Sequence, residues 1–236
     1  MKNTIIVTGA SRGIGLAILE KYAQAGWNLA FCSKNTDSVS KAKQHLKSIN
    51  SDIKIYAEAF DIENKDAVLN FASNCLKELG PIHILVNNAG LFKQGELSAA
   101  SFDDDLDYLM RVNLFSAYWM GKVIIPEMIN NKSGHIFNIS SIAGLKDYDN
   151  GGGYTVAKFA LTGYTKQIRN ELKSKSIRVT GIYPGAVLTD SWAGVDLPPN
   201  RFIQPSDIAD IVYATSQLSP SACVEDIILR PQEGDI

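Results

Sequence analysis

Two hydrophobic periods alternate along the chain. Short runs rich in β-branched and aromatic residues predict strands over residues 4–8, 28–33, 53–60, 82–87, 134–140, 177–183 and 224–229. Between them, apolar residues recur at helical spacing over residues 14–25, 37–49, 65–79, 102–130, 154–173 and 206–218, several of these stretches opened by Asp, Ser or Asn. Antiparallel hairpins need only two-residue turns, whereas strands separated by whole helices imply right-handed crossovers and parallel pairing. The expected fold is therefore α/β: a doubly wound Rossmann fold with a seven-stranded, mostly parallel sheet and helices on both faces.

No repeat, low-complexity tract or Pro/Gly/Ser-rich linker divides the chain, so residues 1–236 are expected to form one domain. Only residues 190–204 fit neither period. A long loop following a strand in such a sheet stands where ligands bind, and this one, with Trp192 and Leu197 to bury, is expected to act as a substrate lid.

Composition narrows the possible partners. Twenty-three Lys and Arg against 25 Asp and Glu give a net charge of −2, which offers no general attraction for nucleic acid. No apolar run reaches membrane-spanning length and no apolar leader opens the chain, so a cytoplasmic location without membrane association is expected. Cys32, Cys75 and Cys223, and likewise His45, His83 and His135, are scattered without ligand or disulfide spacing, so no metal is expected. The acidic run Phe102-Asp-Asp-Asp-Leu-Asp107 suits a helix N-terminus better than a metal.

The first strand runs into Thr8-Gly-Ala-Ser-Arg-Gly-Ile-Gly15, which then opens a helix. Glycines at a strand-to-helix junction let the backbone turn tightly and bring amide groups to a phosphate, which favours a dinucleotide. The second strand ends at Ser33 and Lys34, where an acidic residue would bond a ribose 2′-hydroxyl. Lys34 and Arg12 suit a 2′-phosphate, so NADP is favoured over NAD. Asp37 dissents, although its place near a predicted helix start points to capping.

Further on come Asn87-Asn88-Ala89-Gly90 after the fourth strand, Asn113, Ser141, Tyr154-Thr-Val-Ala-Lys158, and Pro184-Gly185 with Thr189. In this order, each at its own element, these motifs resemble the short-chain dehydrogenase/reductase superfamily, in its single-domain branch, over nearly the whole chain. The chain is similar to 3-oxoacyl-carrier-protein reductases and related carbonyl reductases. The resemblance implies an NADP-dependent oxidoreductase interconverting a carbonyl and an alcohol. It implies that Gly9, Ser11, Arg12, Gly13, Ile14 and Gly15 surround the phosphates, that Asp61 and Ile62 touch adenine, and that Asn88, Ala89 and Gly90 back a ribose. Pro184, Gly185, Val187 and Thr189 are expected at the nicotinamide. Ordinary alternatives stand beside these roles: Asp61 as a helix cap, the asparagines as strand-end turn residues, Pro184-Gly185 as a turn.

Hydride transfer to a carbonyl needs a proton donor, and a free phenol with a pKa of about 10 exchanges its proton poorly at neutral pH. A lysine at i+4 on a helix shares the tyrosine's face and lowers its pKa. Tyr154 has Lys158 there, whereas Tyr148 has Gly152 and Tyr164 has Ile168. Lys158 is also expected to bond the nicotinamide ribose. Ser141, thirteen residues before Tyr154, is the expected oxyanion partner, with Ser140 its competitor. Asn113 is expected, by resemblance, at a helix distortion holding a water that links Lys158 to solvent; on its own it would be a solvent-facing helical polar residue. Tyr148 and Trp192 are expected to line the substrate pocket, and Gly151, Gly152 and Gly153 to turn the chain into the catalytic helix.

The substrate expected is a small carbonyl or alcohol, free or carrier-bound. The residues after Leu229 lack the glycine-rich tail frequent among 3-oxoacyl reductases, which points instead toward relatives acting on hydroxy acids or pterins. A homo-oligomer, dimer or tetramer, is implied by resemblance alone. The competing functions are a nucleotide-sugar epimerase or dehydratase and a non-catalytic NADP-binding regulator.

Overall fold

A computed structural model of the chain describes residues 2–98, 105–147 and 149–236. Its strands are β1 (Thr4–Thr8), β2 (Asn28–Ser33), β3 (Ile55–Ala59), β4 (Ile84–Asn87), β5 (Gly134–Ile139), β6 (Ile177–Pro184) and β7 (Asp226–Leu229). They form one seven-stranded sheet in the order β3-β2-β1-β4-β5-β6-β7, and every pairing is parallel. The helices are α1 (Gly13–Gln24), α2 (Thr36–Ile49), α3 (Lys65–Leu79), α4 (Asp105–Met110), α5 (Ser116–Asn130), α6 (Gly152–Leu172) and α7 (Pro205–Ser216).

Alternation along each strand divides the core in two. Ile5 and Val7 of β1, with Leu29 and Phe31 of β2, pack against Ile18, Leu19 and Tyr22 of α1 and Ile208 and Val212 of α7. The intervening Ile6, Ala30 and Cys32 face Phe71 and Cys75 of α3, Met120 and Ile124 of α5, and Ile168 of α6. Because both faces are covered, β1 is buried along its whole length, which is why its sequence reads as a continuous apolar run. The outer strand β7 keeps Ile228 58% exposed, and there the pattern alternates.

Where the boundaries differ from the sequence pattern, side chains have intercepted backbone groups. β3 begins at Ile55 although Ile53 is buried, because the Lys54 amide donates to Asn28 Oδ1 at 2.9 Å rather than to a neighbouring strand. At α2 the capping oxygen belongs to Asn35, which accepts from the Ser38 amide at 2.9 Å; Asp37 lies in the first turn and not at the cap. The stretch expected as one helix is broken by a π-helical turn over Arg111–Phe115.

The strand order reverses at β1, between β2 and β4. Parallel strands send all their carboxyl ends to one edge, so the chain leaving β1, β4, β5 and β6 converges there around a crevice.

Candidate active site

The crevice is a cleft of about 690 Å³, within the range of small-molecule sites. Ile14, Asn88, Gly90, Ser141, Tyr154 and Lys158 line it, as do Pro184, Gly185, Val187, Thr189 and Trp192. Four strand-end segments and helix α6, widely separated in sequence, thereby converge on one hollow.

At its floor, α1 begins without a side-chain cap and with no acidic residue in its first turn. Its first amides lack helical partners, and the helix dipole adds positive potential at that end, a setting that attracts an anion. Gly13 adopts φ +56°, and a Cβ there would come within 3.3 Å of the Thr189 methyl, so the turn and the β6 loop close on each other only with glycine. Gly9 lies against Ala89 and Gly15 against Asn88. Asn88 Nδ2 donates to the carbonyls of Thr8 and Gly9, at 2.8 and 3.0 Å, and Thr8 Oγ1 accepts from the amides of Asn88 and Ala89. The side-chain amide of Asn88 therefore staples the ends of β1 and β4.

Tyr154 and Lys158 stand one turn apart on α6, with the Lys158 ammonium 5.7 Å from the tyrosine ring centroid. Phe92 packs nearly perpendicular to that ring, the centroids 5.0 Å apart. Lys158 is only 4% exposed, and burial brings its pKa down from 10.5 to about 8. One proton of the ammonium goes to the Ile139 carbonyl at the end of β5, 3.0 Å away. A Cβ at Gly90 would lie 3.2 Å from Lys158 Nζ and 3.0 Å from Asn113 Oδ1, so the bare backbone there lets the two groups approach one point.

Asn113 sits inside the π-helical turn, buried. Its Nδ2 donates to the carbonyls of Leu91 and Leu109, both at 3.0 Å, and its Oδ1 accepts from the Leu91 amide at 3.2 Å. The solvent-facing alternative for Asn113 is thus wrong. A π-turn shifts the hydrogen-bond register by one residue, freeing a helical carbonyl for a side chain to use.

The two serines after β5 point differently. Ser140 is buried and its hydroxyl donates to the Lys158 carbonyl of α6, at 3.3 Å. Ser141 is half-buried at the cleft, its oxygen accepting from the Ala143 amide at 3.1 Å and its hydroxyl proton without an acceptor among the described residues. Tyr164 is half-buried with its hydroxyl against Gly121 of α5, outside the residues that line the cleft. Tyr148 lies outside the described residues.

Beyond the cleft, where β2 and β3 end, Ser11 donates to Ser33 at 2.8 Å, and Lys34 pairs with Asp61, which raises the lysine's pKa. Arg12 pairs with Asp190 at 2.7 Å, linking the glycine turn to the 190–204 loop. Arg12, Asp190 and Lys34 are solvent-exposed and Asp61 partly so, which makes each pair a weak and easily exchanged contact. Asp61 does not cap α3; Asn64 does, accepting from the Ala67 amide. Ile62 packs into the core beside α3. In the loop itself, Trp192 packs on Phe202 with centroids 5.5 Å apart, whereas Leu197, expected to be buried, is 38% exposed.

Sequence inspection missed a buried polar chain. Asn87 Nδ2 donates to Asn138 Oδ1 at 2.7 Å, Asn138 Nδ2 to Thr165 Oγ1 at 2.8 Å, and Thr165 to the Leu161 carbonyl at 2.7 Å. It ties β4 through β5 to α6 and fixes the helix bearing Tyr154. The available signal was Asn138 itself, a polar residue within a strand otherwise built for burial. Among the described residues, no group of three His, Cys, Asp or Glu is arranged to hold a metal, and no helix is long and apolar enough to cross a membrane.

Comparison with known proteins agrees with this architecture. Over its full length the chain is 32% identical to sepiapterin reductase of Chlorobaculum tepidum, covering 99% of that protein. It is 35% identical to a 3-oxoacyl-[acyl-carrier-protein] reductase of Chlamydia muridarum, over 86% of each chain. Among solved structures, an alcohol dehydrogenase of the archaeon Thermococcus sibiricus complexed with 5-hydroxy-NADP superposes with a TM-score of 0.90 at 25% identity, covering 98% of this chain and 97% of that one. A metagenomic short-chain oxidoreductase in complex with NADP does so with a TM-score of 0.85 at 29% identity, with the same coverage. The family model for short chain dehydrogenases matches residues 3–198, and the chain belongs to that family of NAD(P)-dependent oxidoreductases.

Proposed function

We propose that the protein is an NADP-dependent carbonyl reductase acting on a small ketone or aldehyde, with Tyr154 as the proton donor. The observation that carries this is the buried Lys158 ammonium one helical turn from Tyr154 at the wall of the cleft. A cation placed where water cannot screen it acts strongly on a neighbouring phenol, favouring loss of its proton.

The residues present fit a dinucleotide. The uncapped N-terminus of α1 and the open Gly13 position suit a pyrophosphate. A dinucleotide held there would supply the hydride from its nicotinamide. As the substrate oxygen gains negative charge, the Tyr154 hydroxyl gives it a proton and the Ser141 hydroxyl donates a hydrogen bond to it. Lys158 holds the phenol ready to exchange that proton and reaches a ribose hydroxyl. The Ile139 carbonyl fixes the lysine's position, and Gly90 lets Asn113 Oδ1 come to the same point. Pro184, Gly185, Val187 and Thr189 hold the ring side of the cleft.

NADP is preferred because no acidic residue stands at the end of β2, where Ser33 and Lys34 lie. Arg12 and Lys34 exchange Asp190 and Asp61 for the 2′-phosphate, whose dianion is the better partner for both. Residues 190–204 serve as the lid, with Trp192 over the substrate. Exposed Phe115, Tyr118, Val156 and Phe159 on α5, α6 and the π-turn support a homo-oligomer.

The test is a panel of aldehydes, ketones and diketones with NADPH and NADH, followed at 340 nm. Reduction of at least one compound, faster with NADPH, is expected. NADPH binding without turnover of any compound would favour a regulator that senses the cofactor.

A further inference from the structure

The Lys158 ammonium is placed where three segments meet: it rides on α6, donates to the Ile139 carbonyl at the end of β5, and lies beside Gly90 after β4. The buried chain of Asn87, Asn138 and Thr165 joins the same three segments. Asn87 closes β4 shortly before Gly90, Asn138 directly precedes Ile139, and Thr165 lies about two turns beyond Lys158 on α6. Asn87 and Asn138 are also opposite each other in the pairing of β4 with β5, so their side chains leave the same face of the sheet.

Asn138 is 0% exposed and Thr165 1%. Thr165 gives its own proton to the Leu161 carbonyl, so its oxygen is the acceptor for Asn138 Nδ2 at 2.8 Å. Apolar contacts also hold α6 to the sheet: Ile168 and Leu172 pack with Ile177 and Val179. Such contacts have no direction and survive a small slide of the helix. Arg169 reaches the Val179 carbonyl, but through a long side chain that can follow such a slide. A short hydrogen bond in a dry site cannot follow, because slip leaves a buried amide unpaired. Ser140 adds a longer bond to the Lys158 carbonyl, at 3.3 Å. Fixing register is the best-attested use of polar groups buried in this way.

We infer that Thr165 is a positioning residue: through Asn138 and Asn87 it sets the axial position of α6 on the sheet, and so brings the Lys158 ammonium to the Ile139 carbonyl and Tyr154 to the cleft. It is not among the residues lining the cleft and acts through Lys158. The hydroxyl carries the role and the methyl does not, since the hydroxyl makes both bonds. The inference rests on the carbonyl reductase function proposed above and adds to that site a residue about two turns from its lysine.

Two substitutions in the full chain separate hydroxyl from shape: Thr165→Val keeps the shape and removes the hydroxyl, whereas Thr165→Ser keeps the hydroxyl and removes the methyl. The probe is 1-phenylpropane-1,2-dione with NADPH, or the most active compound of the panel above, and rates are taken per NADPH-binding site, counted by fluorescence titration. Thr165→Val is expected to lower kcat about tenfold, as small misplacements of reacting groups do, with Kd for NADPH unchanged. Thr165→Ser is expected to stay within about twofold of the wild type, because its hydroxyl makes the same bonds. Wild-type kcat in Thr165→Val would overturn the inference, as would an equal loss in both variants, which would assign the effect to packing. If Thr165→Val does not fold, Thr165→Cys takes its place: its thiol is a weaker acceptor, so its kcat should fall below that of Thr165→Ser, and equality would refute the role. If the wild type reduces no compound while NADPH still binds, the reductase function fails instead. Hydrogen exchange then reads the placement of α6: amides around Lys158 that exchange about tenfold faster in Thr165→Val but not in Thr165→Ser uphold it, and equal exchange in all three proteins refutes it.

Discussion

Two lysines stand at opposite ends of the site, and water treats them oppositely. Lys158 is 4% exposed, and burial brings its pKa down to about 8. Lys34, on the surface where β2 ends, has its pKa raised by Asp61. The buried charge is costly and held by the Ile139 carbonyl, yet it acts strongly on whatever lies beside it. The exposed one is cheap, screened and free to change partners. Chemistry is therefore expected to depend sharply on the inner end of the cleft, and cofactor preference to depend gently on the outer one.

The sharpest break should come at the inner end. Tyr154→Phe removes one oxygen and keeps the ring against Phe92; kcat is expected to fall by about 1,000-fold, the order of a lost general acid, with NADPH affinity unchanged. Steady-state kinetics beside a fluorescence titration measures both, and retained turnover would move the proton donor to another group.

A pH profile gives a smaller effect at the same place. Lys158 loses its proton as pH rises through about 8, so kcat/KM for carbonyl reduction should decline above that point. Stability should run the other way. Because its folded pKa lies below the ordinary 10.5, the unfolded chain holds the proton more tightly, and folding is favoured increasingly from about pH 8 toward 10.5. The difference in Tm between the wild type and Lys158→Met across that window isolates this contribution from the tyrosines. An unchanging difference would mean the ammonium is better solvated than its burial indicates.

The outer end should yield the mildest effect. Lys34→Ala combined with Arg12→Ala is expected to weaken NADPH about tenfold, on the order of a charge-assisted contact, and to leave NADH within about twofold. Added salt should erode the NADPH preference of the wild type and have little effect on the double variant. Equal weakening of both cofactors would refute the 2′-phosphate assignment.

The contrast also explains what was legible from the chain alone. Elements with an unbroken period, such as the fully buried β1 and the amphipathic α3, announce themselves, and their observed bounds match the pattern. The Tyr154–Lys158 pair was legible because i and i+4 on a helix share a face regardless of what surrounds them. The outer cations were legible as residue types, but not the carboxylates they hold: Asp190 is 178 residues from Arg12, and no local rule links them. Asn87 and Thr165 were hidden because each is unremarkable in its own element; Asn138 was the visible signal, and the three are meaningful only as a chain.

By itself the sequence determined the α/β class, the order of its elements, the glycine turn opening α1, and the pairing of one tyrosine with one lysine, since periodicity and near-neighbour geometry are local properties. Tertiary structure alone decided that the sheet is wholly parallel, that Asn113 lies in a π-turn against the same point as Lys158, that Ser140 turns inward while Ser141 faces the cleft, and that Thr165 meets Asn138. These depend on which strand ends meet at one edge of the sheet, and on what burial does to a charge once water has been excluded.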